Sequence, residues 1–138
     1  MYSLPTLLSQ YRAEGRLQRH LVLELGTNGP FDEDQLLSTL QSLGSSERIV
    51  LVNANEPRPW QDDVNRALAD VAHRMHNVTI ADWYSASAGH SEYFWDDAVH
   101  PDGDGSQVMA TLIARAVGPA QPANAGAPNA HLVGCPAQ

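Results

Sequence analysis

"HLVLELGTNG", residues 20–29, joins an unbroken apolar run to a loop of glycine and asparagine. A strand with one wet face alternates apolar and polar residues, and Leu21, Val22 and Leu23 do not. The run therefore reads as a strand buried on both faces, closed by a turn. The pattern recurs in "RIVLVNANEP", residues 48–57, and in shorter form in "NVTIADW", residues 77–83. Helical segments lie around and between them. "SLPTLLSQYRAEGRL", residues 3–17, sets Leu4, Leu7, Leu8 and Tyr11 on one face. In "FDEDQLLSTLQSLG", residues 31–44, Asp32 and Gln35 resemble a capping box, Leu36, Leu40 and Leu43 form a stripe, and Gly44 stops the helix. "QDDVNRALADVAHRM", residues 61–75, spaces Val64, Leu68, Val71 and Met75 as an amphipathic helix. "SQVMATLIARAVG", residues 106–118, reads as the last helix.

Helices alternating with continuous apolar strands predict a three-layer α/β architecture with a parallel sheet. Right-handed crossovers then put helices on both faces. In such sheets ligands bind beyond the carboxyl ends of the strands. "GTNG", "NANEPRPW" and "DW" with "DDAVH" all fall at those ends. After Gly118 the composition changes. "PAQPANAGAPNAHLVGCPAQ", residues 119–138, is rich in Ala, Pro, Gly and Asn and is expected to be a disordered tail.

With 138 residues the chain has room for one domain, and 43% hydrophobic against 17% charged residues marks it as globular. A formal net charge of −8 argues against nucleic acid and against a polybasic membrane contact. No apolar run approaches the roughly 20 residues of a membrane-spanning helix. No signal peptide is visible at the start, so localisation is left open. The single cysteine, Cys135, can neither close an internal disulfide nor anchor a metal cluster, so redox compartment is undecided.

"DDAVHPDGDG", residues 96–105, is the segment richest in chemistry. A neutral imidazole can take a proton from a hydroxyl, and a carboxylate can fix its tautomer and stabilise the imidazolium. Asp97 and His100, three residues apart in a bent loop, suit those roles. On spacing alone, a solvated turn capped by Asp97 explains the pattern better. His20, His73, His76, His90 and His131 are the other imidazoles; His73 and His76 read as surface residues and His131 falls in the tail. Asn28 could offer an amide N–H to an oxyanion, or it could serve a turn that tolerates positive φ. Arg58 could bind a carboxylate or sugar and Trp60 could stack on one, though a Pro-x-Pro segment more often only shapes a loop. Asp82 and Trp83 read as packing and support at the rim.

Taken in order, "GTNG", "VLVNANEPRPW", "VNRALADVA", "NVTIADW" and "DDAVHPDGDG" resemble the SGNH hydrolase superfamily. The resemblance is to the extracytoplasmic SGNH domain of membrane O-acyltransferases of the peptidoglycan or lipopolysaccharide O-acetyltransferase type, and it covers roughly residues 17–118. It implies a flavodoxin-like sheet, an oxyanion-hole Asn28, and Asp97 and His100 as acid and base. It implies no metal or organic cofactor. Ala98 stands where the related domains usually have glycine.

The family's nucleophile block, a Gly-Asp-Ser or Asp-Ser element after the first strand, is missing. Ser3, Ser9, Ser85, Ser87 and Ser91 lack its context, so the nucleophile is unknown. The expectation is an SGNH-like domain over residues 1–118, N-terminally truncated to about three strands, with the "HLVLEL" strand left as an exposed edge prone to self-association. The expected function is serine-type acyl transfer or ester hydrolysis on an O-acylated carbohydrate, with a carbohydrate ester or acetyl donor as substrate, inactive in this chain alone. Such a segment would lie outside the cytoplasm beside a membrane acyltransferase domain. The alternatives are a non-catalytic remnant or carbohydrate-binding module, and a hydrolase of small esters.

Overall fold

A computed structural model describes residues 3–44, 47–118 and 131–134. Helix α1 spans Leu4–Ala13, strand β1 His20–Glu24, α2 Glu33–Gln41, β2 Arg48–Val52, α3 Gln61–Arg74 and β3 Val78–Ala81. A short α4, Trp83–Ser87, and a 3₁₀ turn, Ser91–Tyr93, lead into the loop before α5, Gly103–Val117, and a last strand β4 spans His131–Gly134. The expected start signals operate. Asp32 accepts the Gln35 backbone N–H at 2.9 Å, and Asp102 likewise caps α5 through Gly105 N–H at 2.9 Å.

The sheet is parallel throughout, in the order β3-β2-β1-β4. β1 and β2 are buried on both faces, as their unbroken apolar runs require. Leu21, Leu23, Ile49, Leu51 and Val78 face α1, α2 and α3, together with Leu8, Leu36, Leu40, Val64, Leu68 and Val71. Val22, Val50, Val52 and Ala81 face the other way, against Val108, Met109, Leu112, Ile113 and Trp83. The stripe predicted for α3 is the core of the first face: Val64, Leu68 and Val71 are at most 1% exposed and Met75 8%. The second face is covered by α5 alone among the long helices, and α5's apolar residues stay half-buried.

The three strands read from the sequence are present, and β4 is an addition. It falls inside the segment expected to be disordered; residues 119–130 and 135–138 of that segment lie outside the described residues. β4 pairs with β1 from Leu21↔His131 to Glu24↔Gly134. The β1 edge expected to lie bare is thus occupied by the chain's own backbone. The physical reason is local: "HLV" is the one apolar run after Gly118, and a parallel ladder asks only for free N–H and C=O groups along its edge. The connection is also topologically ordinary. It leaves β3 through α5 on the opposite face from α2 and α3 and travels in the opposite direction along the sheet, so the crossover keeps the usual hand.

The pairing makes a prediction. Val133→Pro removes a backbone N–H from β4. Light scattering across a concentration series should then show a rise in mass that the unaltered chain lacks. An unchanged monomer would mean that β4 does not shield the β1 edge.

Candidate active site

The rim is built where the strands end. The first turn is fixed by Gly26, which has φ +97°, and a Cβ there would collide with the Val64 side chain of α3. Only glycine allows this loop to lie so close to the helix. The Gly26 carbonyl accepts the Trp60 indole N–H at 3.0 Å, and the same N–H reaches Glu56 Oε1 at 3.2 Å. Trp60 is therefore a strut between the first two rim loops, half-buried against the core. The Arg58 guanidinium lies 5.9 Å from the centre of its ring and is otherwise exposed.

The β2–α3 loop is held by asparagines. Asn65 on α3 exchanges two 2.8 Å hydrogen bonds with the Ala54 backbone. Asn53 donates to Asp82 at 2.8 Å and accepts from the Tyr84 N–H at 2.9 Å. Asn55 donates to the hydroxyl of the fully buried Ser87 at 2.7 Å. Burial alone would raise the Asp82 carboxyl, but donors from Asn53 and Ser85 outweigh it and hold the group below the usual range. Asp82 and Trp83 thus support the rim, as the sequence suggested; Trp83 is 2% exposed and packs on Phe94 at 5.6 Å.

The loop from Trp95 to Pro101 crosses these ends. Phe94 and Pro101 form an antiparallel bridge, and Trp95 N–H donates to the His100 carbonyl at 3.0 Å. Asp97 organises the turn between them. Its Oδ1 accepts the Val99 and His100 backbone N–H groups at 2.9 and 3.0 Å, and its Oδ2 lies 2.6 Å from His100 Nδ1. These bonds, the imidazole contact foremost, lower the Asp97 pKa to about 2. A carboxylate so held can only accept, so Nδ1 carries the hydrogen and Nε2 is left with the lone pair while the ring is neutral. The His100 side chain is 67% exposed and Nε2 is open to a ligand. The capped turn and the acid–base arrangement are here the same structure.

Val99 lines a small gap with Glu24, Thr27, Asn53, Asn55, Glu56 and Trp83, so this loop rests over the ends of β1, β2 and β3. Glu24 and Glu56 are rim carboxyls that the sequence reading passed over. Desolvation pushes Glu24 up against the pull of His100. Glu56 is raised by burial and by Glu24, against the Trp60 N–H and Arg58. A glutamate closing an apolar strand was the signal available for Glu24. Asn28 faces a different space from Val99. It lines a cleft of about 400 Å³ with Leu4, Pro5, Phe31 and Gln35, while Leu25 and Thr27 border both spaces. Among the described residues no hydrogen bond joins Asn28 to His100, and no serine hydroxyl bonds to His100. Ser85 and Ser87 belong to α4, where Ser87 Oγ is spent on the Trp83 carbonyl at 2.6 Å.

Ala98 has φ +57°, the one non-glycine residue with positive φ among the described residues. That conformation costs an L-residue about 1–2 kcal/mol, a cost that glycine does not bear. Ala98→Gly should therefore raise stability by up to about 1 kcal/mol, the relief of strain less the added chain entropy, measured as a shifted denaturation midpoint. A second outcome concerns acid. The folded Asp97 pKa of about 2 lies below its ordinary 3.8, so its contribution is complete above the ordinary value and lost as pH falls through the folded one. The Val99 and His100 amide resonances should hold their positions down to pH 4 and move with a midpoint near 2. A midpoint near the ordinary carboxyl value would refute the bonded turn.

No protein-family model matches the chain. The peptidoglycan O-acetyltransferase OatA of Listeria monocytogenes is 44% identical over 108 residues, which cover 78% of this chain and 17% of that protein. The O-acetyltransferase OatA of Staphylococcus aureus is 40% identical over 111 residues, covering 80% of this chain and 18% of that protein. The chain thus spans less than a fifth of the length of the curated relatives it matches. Among solved structures, the C-terminal catalytic domain of Streptococcus pneumoniae OatA, seen with a methylsulfonyl adduct, superposes with a TM-score of 0.68 at 24% identity, covering 82% of this chain and 71% of that one. LAE5, an α/β hydrolase enzyme from a lake metagenome, gives 0.57 at 17% identity, covering 81% and 65%. These last two show a shared fold. By sequence the chain is similar to a segment of the OatA O-acetyltransferases, and by fold to the C-terminal catalytic domain of one of them.

Proposed function

We propose that this chain holds the acid–base pair and the oxyanion donor of a serine-type acyl transfer on an O-acylated carbohydrate. The observation that carries the reading is the 2.6 Å Asp97–His100 contact at the rim, with Nε2 left open. The names of the relatives supply the acetyl group and the sugar polymer. In the reading, His100 Nε2 removes the proton from a serine hydroxyl as its oxygen attacks the ester carbonyl. Asp97 steadies the imidazolium. The Asn28 amide donates to the oxyanion of the tetrahedral intermediate, so the ester must straddle the Leu25–Thr27 turn. The intermediate collapses, and His100 returns the proton to the departing alcohol. The acetyl-serine is then attacked by a carbohydrate hydroxyl in transfer, or by water in hydrolysis. Arg58 stands at the rim as a further contact for the substrate. Among the described residues, no helix is long and apolar enough to cross a membrane. The reading places this domain outside the cytoplasm, beside a membrane acyltransferase domain.

The nucleophile is taken to come from outside residues 1–138, since none of the described serines engages His100. Residual catalysis without a nucleophile is only roughly 10³ to 10⁴ over water. The purified chain should therefore neither turn over an activated acetyl ester nor be labelled by a serine-directed phosphonate. A longer protein with a preceding strand and Asp-Ser element should do both, and His100→Ala in it should abolish turnover. Labelling of a serine within residues 1–138 would overturn the missing nucleophile. Activity that survives His100→Ala would overturn the role of the base. The unengaged His100 also favours a second reading, a sugar-binding domain without catalysis.

A further inference from the structure

Trp95 is the most exposed large apolar side chain among the described residues, at 63%, and Tyr84 follows at 42%. A single exposed apolar side chain is ordinary by itself. Its placement is what points to a role. The bridge Phe94↔Pro101 sets the register of the hairpin, and continuing that register puts Trp95 directly opposite His100, where the 3.0 Å bond from Trp95 N–H to the His100 carbonyl joins them. Residues directly opposite in an antiparallel pair project from the same face, with Cβ atoms about 5 Å apart. That register puts Trp95 and His100 on one face of the hairpin. The strand before Trp95 is anchored, because Phe94 packs on buried Trp83 and Tyr93 stacks on His90 at 4.5 Å. The Tyr93 carbonyl accepts Asp102 N–H at 2.9 Å, and a Cβ on Gly105 would strike that carbonyl. The ring thus stands on a fixed base, and no hydrogen bond occupies its Nε1–H.

Exposed Asp96 follows it directly, on a chain of net charge −8. Its carboxylate disfavours an anion and offers two acceptor oxygens to hydroxyl groups. A flat apolar ring beside hydroxyl acceptors fits the apolar C–H face of a neutral sugar ring. Trp60, the other candidate for stacking, has its indole N–H committed to Gly26 and Glu56.

We propose that Trp95 is the platform for a neutral sugar ring, holding the carbohydrate whose hydroxyl meets His100. This rests on the acyl-transfer reading for the identity of the substrate, but binding needs no nucleophile and can be tested apart from it. The probe is the β-1,4-linked N-acetylglucosamine tetramer, titrated into the full chain by calorimetry and followed by indole N–H resonances. Saturable binding in the millimolar range or tighter is expected, with the Trp95 indole signal moving most. Trp95→Ala should weaken binding about tenfold or more, Trp95→Phe should restore part of it, and Tyr84→Ala should leave it unchanged. Binding is read without turnover, so a failure of the acyl chemistry leaves this measurement standing while a failure of the platform does not. Absence of saturable binding by the full chain, or binding that Trp95→Ala leaves untouched, would overturn the proposal.

Discussion

The rest of the structure depends on the burial of β1 and β2 on both faces. Leu21, Leu23, Ile49 and Leu51 need one apolar layer, and Val22, Val50 and Val52 need a second. Each fully buried side chain of this kind is worth about 1.5–3 kcal/mol relative to exposure, so neither face can be left wet. The chain answers with α1, α2 and α3 below and α5 above. Those helices then dictate where the loops emerge. The carboxyl ends of three strands are forced to one rim, and the polar residues of "GTNG", "NANEP" and "DDAVH" arrive there together.

Rigidity at that rim comes from polar groups that serve the backbone. Asn65 clasps Ala54, Asn53 clasps Asp82 and Tyr84, and Trp60 ties Gly26 to Glu56. The Asp97 turn is the last piece. One carboxylate accepts two backbone donors and the imidazole, so the bonds that shape the loop also orient His100. The strain at Ala98 sits inside this turn. It is tolerated because both flanks are pinned, by the Trp95–His100 bond before it and by Asp97's own bonds around it.

The sheet edge is managed differently from its faces. Side chains set which face of a strand goes where, but an edge presents only N–H and C=O groups. Any extended segment within reach can satisfy them, and residues 131–134 do so here. An apolar tripeptide in a tail of Ala, Pro, Gly and Asn carries little signal, and its pairing depends on where α5 releases the chain. That is why composition pointed to a disordered tail while the fold holds a strand within it.

Periodicity was sufficient for the parallel three-layer class, the α3 stripe and the Asp32 cap, because each depends on residues close in sequence. The resemblance carried Asp97, His100 and Asn28, and for the first two the local turn was enough to bring carboxylate and imidazole together. What lay beyond reach was decided between segments. Trp60 read either as a stacking residue or as part of a loop-shaping segment, and its indole N–H bridges Gly26 and Glu56, which meet it only when β1 and α3 pack. Trp95 carried no signal in the sequence, and its place opposite His100 follows from the register of Phe94 with Pro101. Glu24 senses His100, and Glu56 senses Glu24, only across the sheet. Asn28 and Val99 line separate spaces that share Leu25 and Thr27, a relation that no spacing along the chain encodes. Local hydrogen bonds and side-chain period are written in sequence order. Contacts between loops exist only after the buried sheet has brought its strand ends to a common rim.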